Sequence, residues 1–68
     1  MHIIYNGQPL RTEASTLAEL IAERIPGAGP ETGGLAAAID GQVIPRDQWD
    51  RPLSPGDTVD VLTAVQGG

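Results

Sequence analysis

Gly67 and Gly68, the last two residues, combine a type and a place that could do chemistry. Glycine weakens helices and strands, and terminal residues seldom pack, so the pair has no evident folding role. With glycine at 9 of 68 positions, a terminal pair arises by chance in roughly 2% of chains of this composition. Two residues without side chains can thread a narrow slot and bring an α-carboxylate against another protein's active site. That carboxyl group, with a reference pKa near ~3.5, is ionised at neutral pH and can attack a nucleotide phosphorus to form an acyl-adenylate. Sulfur displacing the adenylate would leave a thiocarboxylate. The run Ala64-Val65-Gln66-Gly67-Gly68 reaches about 17 Å when extended. Residues 64–68 are therefore expected to form a flexible tail on a domain of residues 1–63.

Two absences sharpen this chemistry. The chain contains no cysteine, so sulfur carried by it must ride on the terminus, and disulfides and thiolate-held metals are excluded. It contains no lysine, so isopeptide chains cannot be built on its own side chains. With nothing after Gly68, no protease is expected to be needed to expose the carboxylate. One histidine, His2, is too few for most metal sites.

At 68 residues the chain is one small domain. A domain near this size buries only about 60% of the surface its unfolded chain exposes, which leaves little apolar material for a deep pocket and disfavours an independent enzyme. Nine acidic residues against four arginines give a net charge of −5. With no basic patch and only Tyr5 and Trp49 as aromatics, nucleic acid is not an expected partner. The acidic balance instead favours a basic surface on another protein. No apolar run approaches the length of a membrane span, and the first residues lack signal-peptide character, so a cytoplasmic protein is expected.

The elements that must position the tail can be read from local pattern. Met1 to Tyr5 alternates as a strand, with Met1, Ile3 and Tyr5 on one face and His2 and Ile4 on the other. Asn6-Gly7 predicts a hairpin into a second strand through about Leu10 to Glu13. Thr16-Leu17-Ala18-Glu19 fits a capping box, in which the glutamate reaches back to the cap. Leu17, Leu20, Ile21 and Ile25 recur at helical spacing until Pro26, giving a helix of about two and a half turns. The glycine-rich residues 26–34 read as an irregular exposed loop. Leu35 to Ile39, Asp40-Gly41 and Gln42 to Ile44 predict a second hairpin, the turn signal outweighing the helix preference of Ala36-Ala37-Ala38. Arg46 to Trp49 predicts one helical turn, Pro55-Gly56 a turn, and Asp57 to Thr63 a last strand.

One helix covers one face of such a sheet, so the fold class is α+β in two layers, with the second sheet face uncovered. The predicted core is Met1, Ile3, Tyr5, Leu17, Leu20, Ile21, Ile39, Val59 and Val61. The uncovered face carries Ile4, Asp60 and Leu62, exposed apolar residues beside an acidic rim, and is a candidate partner surface. Trp49 reads more readily as a lid on the core than as a recognition residue. Arg46 reads as solvated or carboxylate-paired at least as readily as partner-contacting. Asp57 reads as a turn residue, and His2 as a strand residue. No carboxylate pair suggests acid–base catalysis, and no catalytic residue is assigned.

The segments MHIIYNGQ, IDGQVIPRDQW and DVLTAVQGG together resemble the ThiS family of sulfur carriers in thiamin thiazole synthesis. The likeness covers nearly the whole chain, and Pro45-Arg46-x-x-Trp49 with Val65-x-Gly67-Gly68 is more specific than a lone glycine pair. It implies the β-grasp fold of ubiquitin, a mixed sheet of four to five strands with one main helix. It also implies that a ThiF-type adenylyltransferase activates Gly68 with ATP, that a sulfur donor protein supplies sulfur, and that thiazole synthase (ThiG) receives it. The carrier itself would bind no cofactor and act as a co-substrate of these enzymes. Gly68 would be the modified residue and Gly67 the threading residue, with Val65 and Gln66 in the partner's groove. A carrier for another pathway, such as molybdopterin synthesis, a protein modifier conjugated through Gly68, and a plain binding module remain alternatives.

Overall fold

A computed structural model describes residues 1–28 and 33–63. The element order is β1 (His2–Tyr5), β2 (Gln8–Arg11), α1 (Leu17–Arg24), β3 (Leu35–Ile39), β4 (Gln42–Val43), a 3₁₀ turn (Arg46–Gln48) and β5 (Thr58–Thr63). The strands form one sheet in the order β2-β1-β5-β3-β4. β5 runs parallel to β1, and every other pairing is antiparallel. This is the two-layer β-grasp architecture, with the last strand at the centre and α1 across one face.

Both hairpins turn where glycine-containing dipeptides require it. Asn6 and Gly7 have φ of 49° and 81°, and Asp40 and Gly41 have 51° and 82°, so each turn holds two residues in the left-handed region. A two-residue turn of this kind matches the twist of the flanking strands. β2 consequently starts at Gln8, two residues before the expected Leu10, because Tyr5 pairs directly with Gln8. Pro9 does not block it. Met1 and Thr12 exchange backbone bonds of 2.9 and 2.7 Å, and the alternation of antiparallel ladders then leaves Pro9 at a position whose nitrogen faces the free edge. Glu13 lies beyond the strand.

The start of α1 is closed by two devices. The Thr16 hydroxyl accepts from the Glu19 amide at 3.2 Å, while the Leu17 and Ala18 amides donate to the carbonyls of Arg51 and Trp49 at 3.1 and 2.8 Å. The donors that a helix start leaves unpaired are thus met partly by a distant segment. The Glu19 carboxylate interacts with the Thr16 amide as the capping box predicts, but more strongly one residue further back. It accepts from the amide and the hydroxyl of Ser15, both at 2.8 Å. Gly27, at φ 86°, follows Pro26 at the helix exit.

Seven predicted core residues are buried: Ile3, Leu17, Leu20, Ile21, Ile39, Val59 and Val61. Met1 and Tyr5 are only partly covered and pack against the cluster's edge. Ala14, Leu35, Ala37, Ile44, Trp49 and Leu53 complete the interior. Trp49 is 1% exposed and its indole donates to the Ile44 carbonyl at 3.0 Å, so it closes the core as expected. β4 ends one residue early: the Ile44 amide still donates to the Ala37 carbonyl, but the Ile44 carbonyl accepts from the Trp49 indole. β5 begins at Thr58 because Asp57 closes a turn, bonding the Ser54 amide through Oδ2 at 2.9 Å and donating to the Ser54 carbonyl at 3.1 Å.

Candidate functional site

The candidate site begins where β5 ends. Thr63 is its last residue, and Val65, Gln66, Gly67 and Gly68 lie outside the described residues. What the structure places is the strand from which they continue and the sheet face beside it.

β5 is held differently along its length. At its start, Thr58 donates to Asp40 Oδ1 at 3.0 Å, and the Asp40 amide donates to the Thr58 carbonyl at 2.7 Å. On the other side, Thr58 and Val59 pair with Ile4 and Tyr5 of β1, and the Asn6 amide donates to the Val59 carbonyl at 2.9 Å. β1 then turns away. Its place is taken by the side chain of Asn6, whose Oδ1 accepts from the Val61 amide at 2.8 Å. Beyond Val61, Leu62 and Thr63 pair with Ala36 and Leu35 of β3, and among the described residues no strand flanks them on the β1 side.

β3 has a matching device. The Ile44 amide donates to the Ala37 carbonyl at 2.8 Å, the last backbone bond that β4 and its extension give to β3. The next outward carbonyl, that of Leu35, accepts from an Arg46 Nη at 3.0 Å. The Arg46 guanidinium also lies 5.8 Å from the centre of the Trp49 ring. Arg46 is therefore half-buried, and one of its bonds is to backbone.

Ile4, Asp60 and Leu62 do fall on one sheet face, the one away from α1. Ile4 shares a rung with Thr58, and Asp60 and Leu62 follow at two-residue steps. Ile4 and Leu62 are thus about 13 Å apart along the strand direction, with Asp60 between them. Asp60 and Leu62 are exposed, and Ile4 is half-covered. The same face holds Ala36 beside Leu62, and Ala38 between Asp60 and Val43. Among the described residues Val43 and Leu62 are the large apolar side chains left most open, at 75% and 68% exposure. The result is a shallow apolar strip of small alanines between two ridges, with one carboxylate inside it. Val43, Ala36 and Ala38 were missed from sequence, although alternation about inward-facing Ala37 was a signal that could have placed the alanines outward.

Among the described residues no three histidine, cysteine or acidic side chains converge to hold a metal, no pocket opens, and no helix is long and apolar enough to cross a membrane. Among the described residues the shifted carboxyl is Glu19, held below the ordinary carboxylate range by the Ser15 amide first and the Ser15 hydroxyl second. It sits at the helix start, away from the strip.

The sequence profile of the ThiS family matches residues 3–68, so the match includes the glycine pair. The chain belongs to the ThiS family. Its relatives include the sulfur carrier protein ThiS of Thermus thermophilus, 36% identical over 64 residues that span 93% of this chain and 94% of the relative. The sulfur carrier protein ThiS of Escherichia coli is 28% identical over the full length of both. A crystal structure of the thiamine biosynthesis protein ThiS from Geobacter metallireducens superposes with a TM-score of 0.77, covering all of both chains at 22% identity. That last likeness supports the β-grasp fold alone, at an identity too low to carry function. For this member of the ThiS family, the Pro45 to Trp49 element now has a structural reading: it fastens the start of β3 and the start of α1 together.

Proposed function

We propose that this ThiS-family chain is a sulfur carrier for thiamin thiazole formation and that the carboxylate of Gly68 is its working group. The observation that carries the reading is the family match running through Gly68, in a chain without cysteine. The Gly68 carboxylate attacks the α-phosphorus of ATP bound by a ThiF-type adenylyltransferase, and pyrophosphate leaves. Hydrosulfide released by a donor protein then adds to the acyl carbon and expels AMP. The thiocarboxylate so formed gives its sulfur to thiazole synthase. The carrier is a co-substrate in each step, and ATP is bound by the partner.

In this reading residues 64–68 are a tail on a domain of residues 1–63. Gly67 threads the partner's slot, and Val65 and Gln66 lie in its groove. The strip of Ile4, Asp60, Leu62, Ala36, Ala38 and Val43 docks on the partner, with Asp60 facing a basic side chain and so favouring fast encounter. ATP and the partner enzymes place these steps in the cytoplasm.

The test is incubation with a ThiF-type partner, ATP and a sulfur source, read by mass spectrometry of the intact chain and its C-terminal peptide. A gain equal to exchanging one oxygen for sulfur, localised to Gly68, is expected. An unmodified terminus with a verified family partner overturns the proposal, and isopeptide adducts through Gly68 would move the chain among protein modifiers.

A further inference from the structure

We propose that Arg46 is a positioning residue for the tail's reaction, acting through the Leu35 carbonyl on the last rungs of β5. This deepens the proposed function and rests on it for the reaction, though not for the geometry.

The argument follows the hydrogen-bond alternation of the sheet. The Asp40 amide bonds the Thr58 carbonyl, so in the β3–β5 ladder the bonded pairs are Ala38 with Asp60 and Ala36 with Leu62. Leu35 and Thr63 form the next, non-bonded rung, which turns the backbone groups of Leu35 away from β5. On that far side β4 has already ended at Val43, and the Leu35 carbonyl would lack a strand partner there. Arg46 supplies the donor, at 3.0 Å, from a guanidinium packed against the buried Trp49 ring. Its side chain thus continues the β4 ladder by one step.

The position of that step matters because of what β5 lacks. Past Val61 it is held from the β3 side alone among the described residues, whereas its start is held from both sides. Whatever steadies Leu35 and Ala36 therefore steadies Leu62 and Thr63, the root from which residues 64–68 continue. The partner surface lies on the sheet face and does not need Arg46 for its shape. Arg46 should accordingly affect the aim of the terminus more than the docking of the domain.

The experiment uses the full chain with Arg46→Ala and Arg46→Lys. Amide exchange in the free protein is expected to rise about two- to tenfold at Ala36 and Leu62 in Arg46→Ala, relative to Ala38 and Asp60. With a ThiF-type partner, kcat for adenylation is expected to fall about tenfold to a hundredfold with KM for the carrier nearly unchanged, since small misplacements of a reacting group cost that much. Arg46→Lys, which keeps a charged donor but loses the planar stack, should recover most of the rate and carries the test if Arg46→Ala does not fold. A raised KM with unchanged kcat would make Arg46 a partner contact and overturn the inference. A lowered unfolding midpoint with unchanged kcat and unchanged relative exchange would leave it a structural residue only, which also overturns it. If no verified partner adenylates the wild type, the proposed function fails on that ground, and amide exchange still decides whether Arg46 steadies the end of β5.

Discussion

The two ends of β5 are built on opposite terms. At Thr58 and Val59 the strand lies between β1 and β3, and the left-handed turn residue Asp40 bonds it through both backbone and side chain. At Leu62 and Thr63 it has β3 on one side and an exposed leucine on the outer face, with Gly67-Gly68 following in the sequence. The start is where the fold holds the strand, and the end is where it offers it. Side chains bridge the gap between these regimes: Asn6 extends the β1 ladder to Val61, and Arg46 extends the β4 ladder to Leu35. β1 and β4 stop short of the end of β5 and of the start of β3, and single side chains keep the ladder bonded there.

The largest effects should separate the two ends completely. Deleting Gly68 is expected to abolish thiocarboxylate formation and leave the thermal unfolding midpoint unchanged, because a terminal glycine has no side chain to bury. Loss of both together would show that the end of β5 and the tail are part of the cooperative fold. Next in size is Asn6→Gly, which keeps the left-handed turn but removes the acceptor for the Val61 amide. It should cost about 1–3 kcal/mol in urea unfolding, the penalty of an unpaired, partly buried donor. The matching change Asp40→Gly exposes the Thr58 amide at an exposed site where water replaces the lost oxygen, and should cost less than about 1 kcal/mol. Equal costs would mean that β5 is held evenly along its length.

These contrasts also mark what the amino-acid sequence made legible. Asn6-Gly7 and Asp40-Gly41 announce their turns because few other residues tolerate positive φ, and Thr16 with the Leu17, Leu20, Ile21 spacing announces the helix. The end of β5 is also local, since Val59 and Val61 alternate with Asp60 and Leu62. What local pattern does not contain is the neighbour. Asn6 Oδ1 meets an amide 55 residues away, and the Leu35 carbonyl meets a guanidinium 11 residues away across a hairpin. Ala14 and Leu53 are buried because Leu53 donates to the Ser15 carbonyl at 2.9 Å and lays its segment against the helix start, a contact no periodicity announces. The backbone bond of Arg46 was hidden for the same reason: it meets a carbonyl that lies beyond the early end of β4.

Leu62→Ala tests the outward side of the end. The residue is 68% exposed, so unfolding should change by less than about 0.5 kcal/mol. KM for the carrier in adenylation should nonetheless rise about tenfold, the size of a moderate interface anchor. Asp60→Asn should act mainly on the association rate, with an effect that shrinks as salt is added. A Leu62→Ala variant that unfolds easily but adenylates normally would invert the comparison.

The smallest effect concerns acid. Glu19 has a folded pKa below its ordinary value because it accepts from the Ser15 amide and hydroxyl. A carboxyl with a depressed folded pKa contributes stability that is full above its unfolded pKa and lost as pH falls through the folded value. Below the ordinary carboxylate range, then, the wild type should approach the stability of Glu19→Gln, and above it the two should differ by a constant, small amount, since the group is fully exposed. The loss falls on the start of α1, whose Leu17 and Ala18 amides bond the carbonyls of Arg51 and Trp49. Trp49 also stacks on Arg46, so acid loosening should reach the end of β5 before its start. Protection factors at Leu62 falling ahead of those at the Asp40 amide, in the wild type but not in Glu19→Gln, would establish that order. Simultaneous loss at both would mean that the helix start and the working end of the sheet are not mechanically linked.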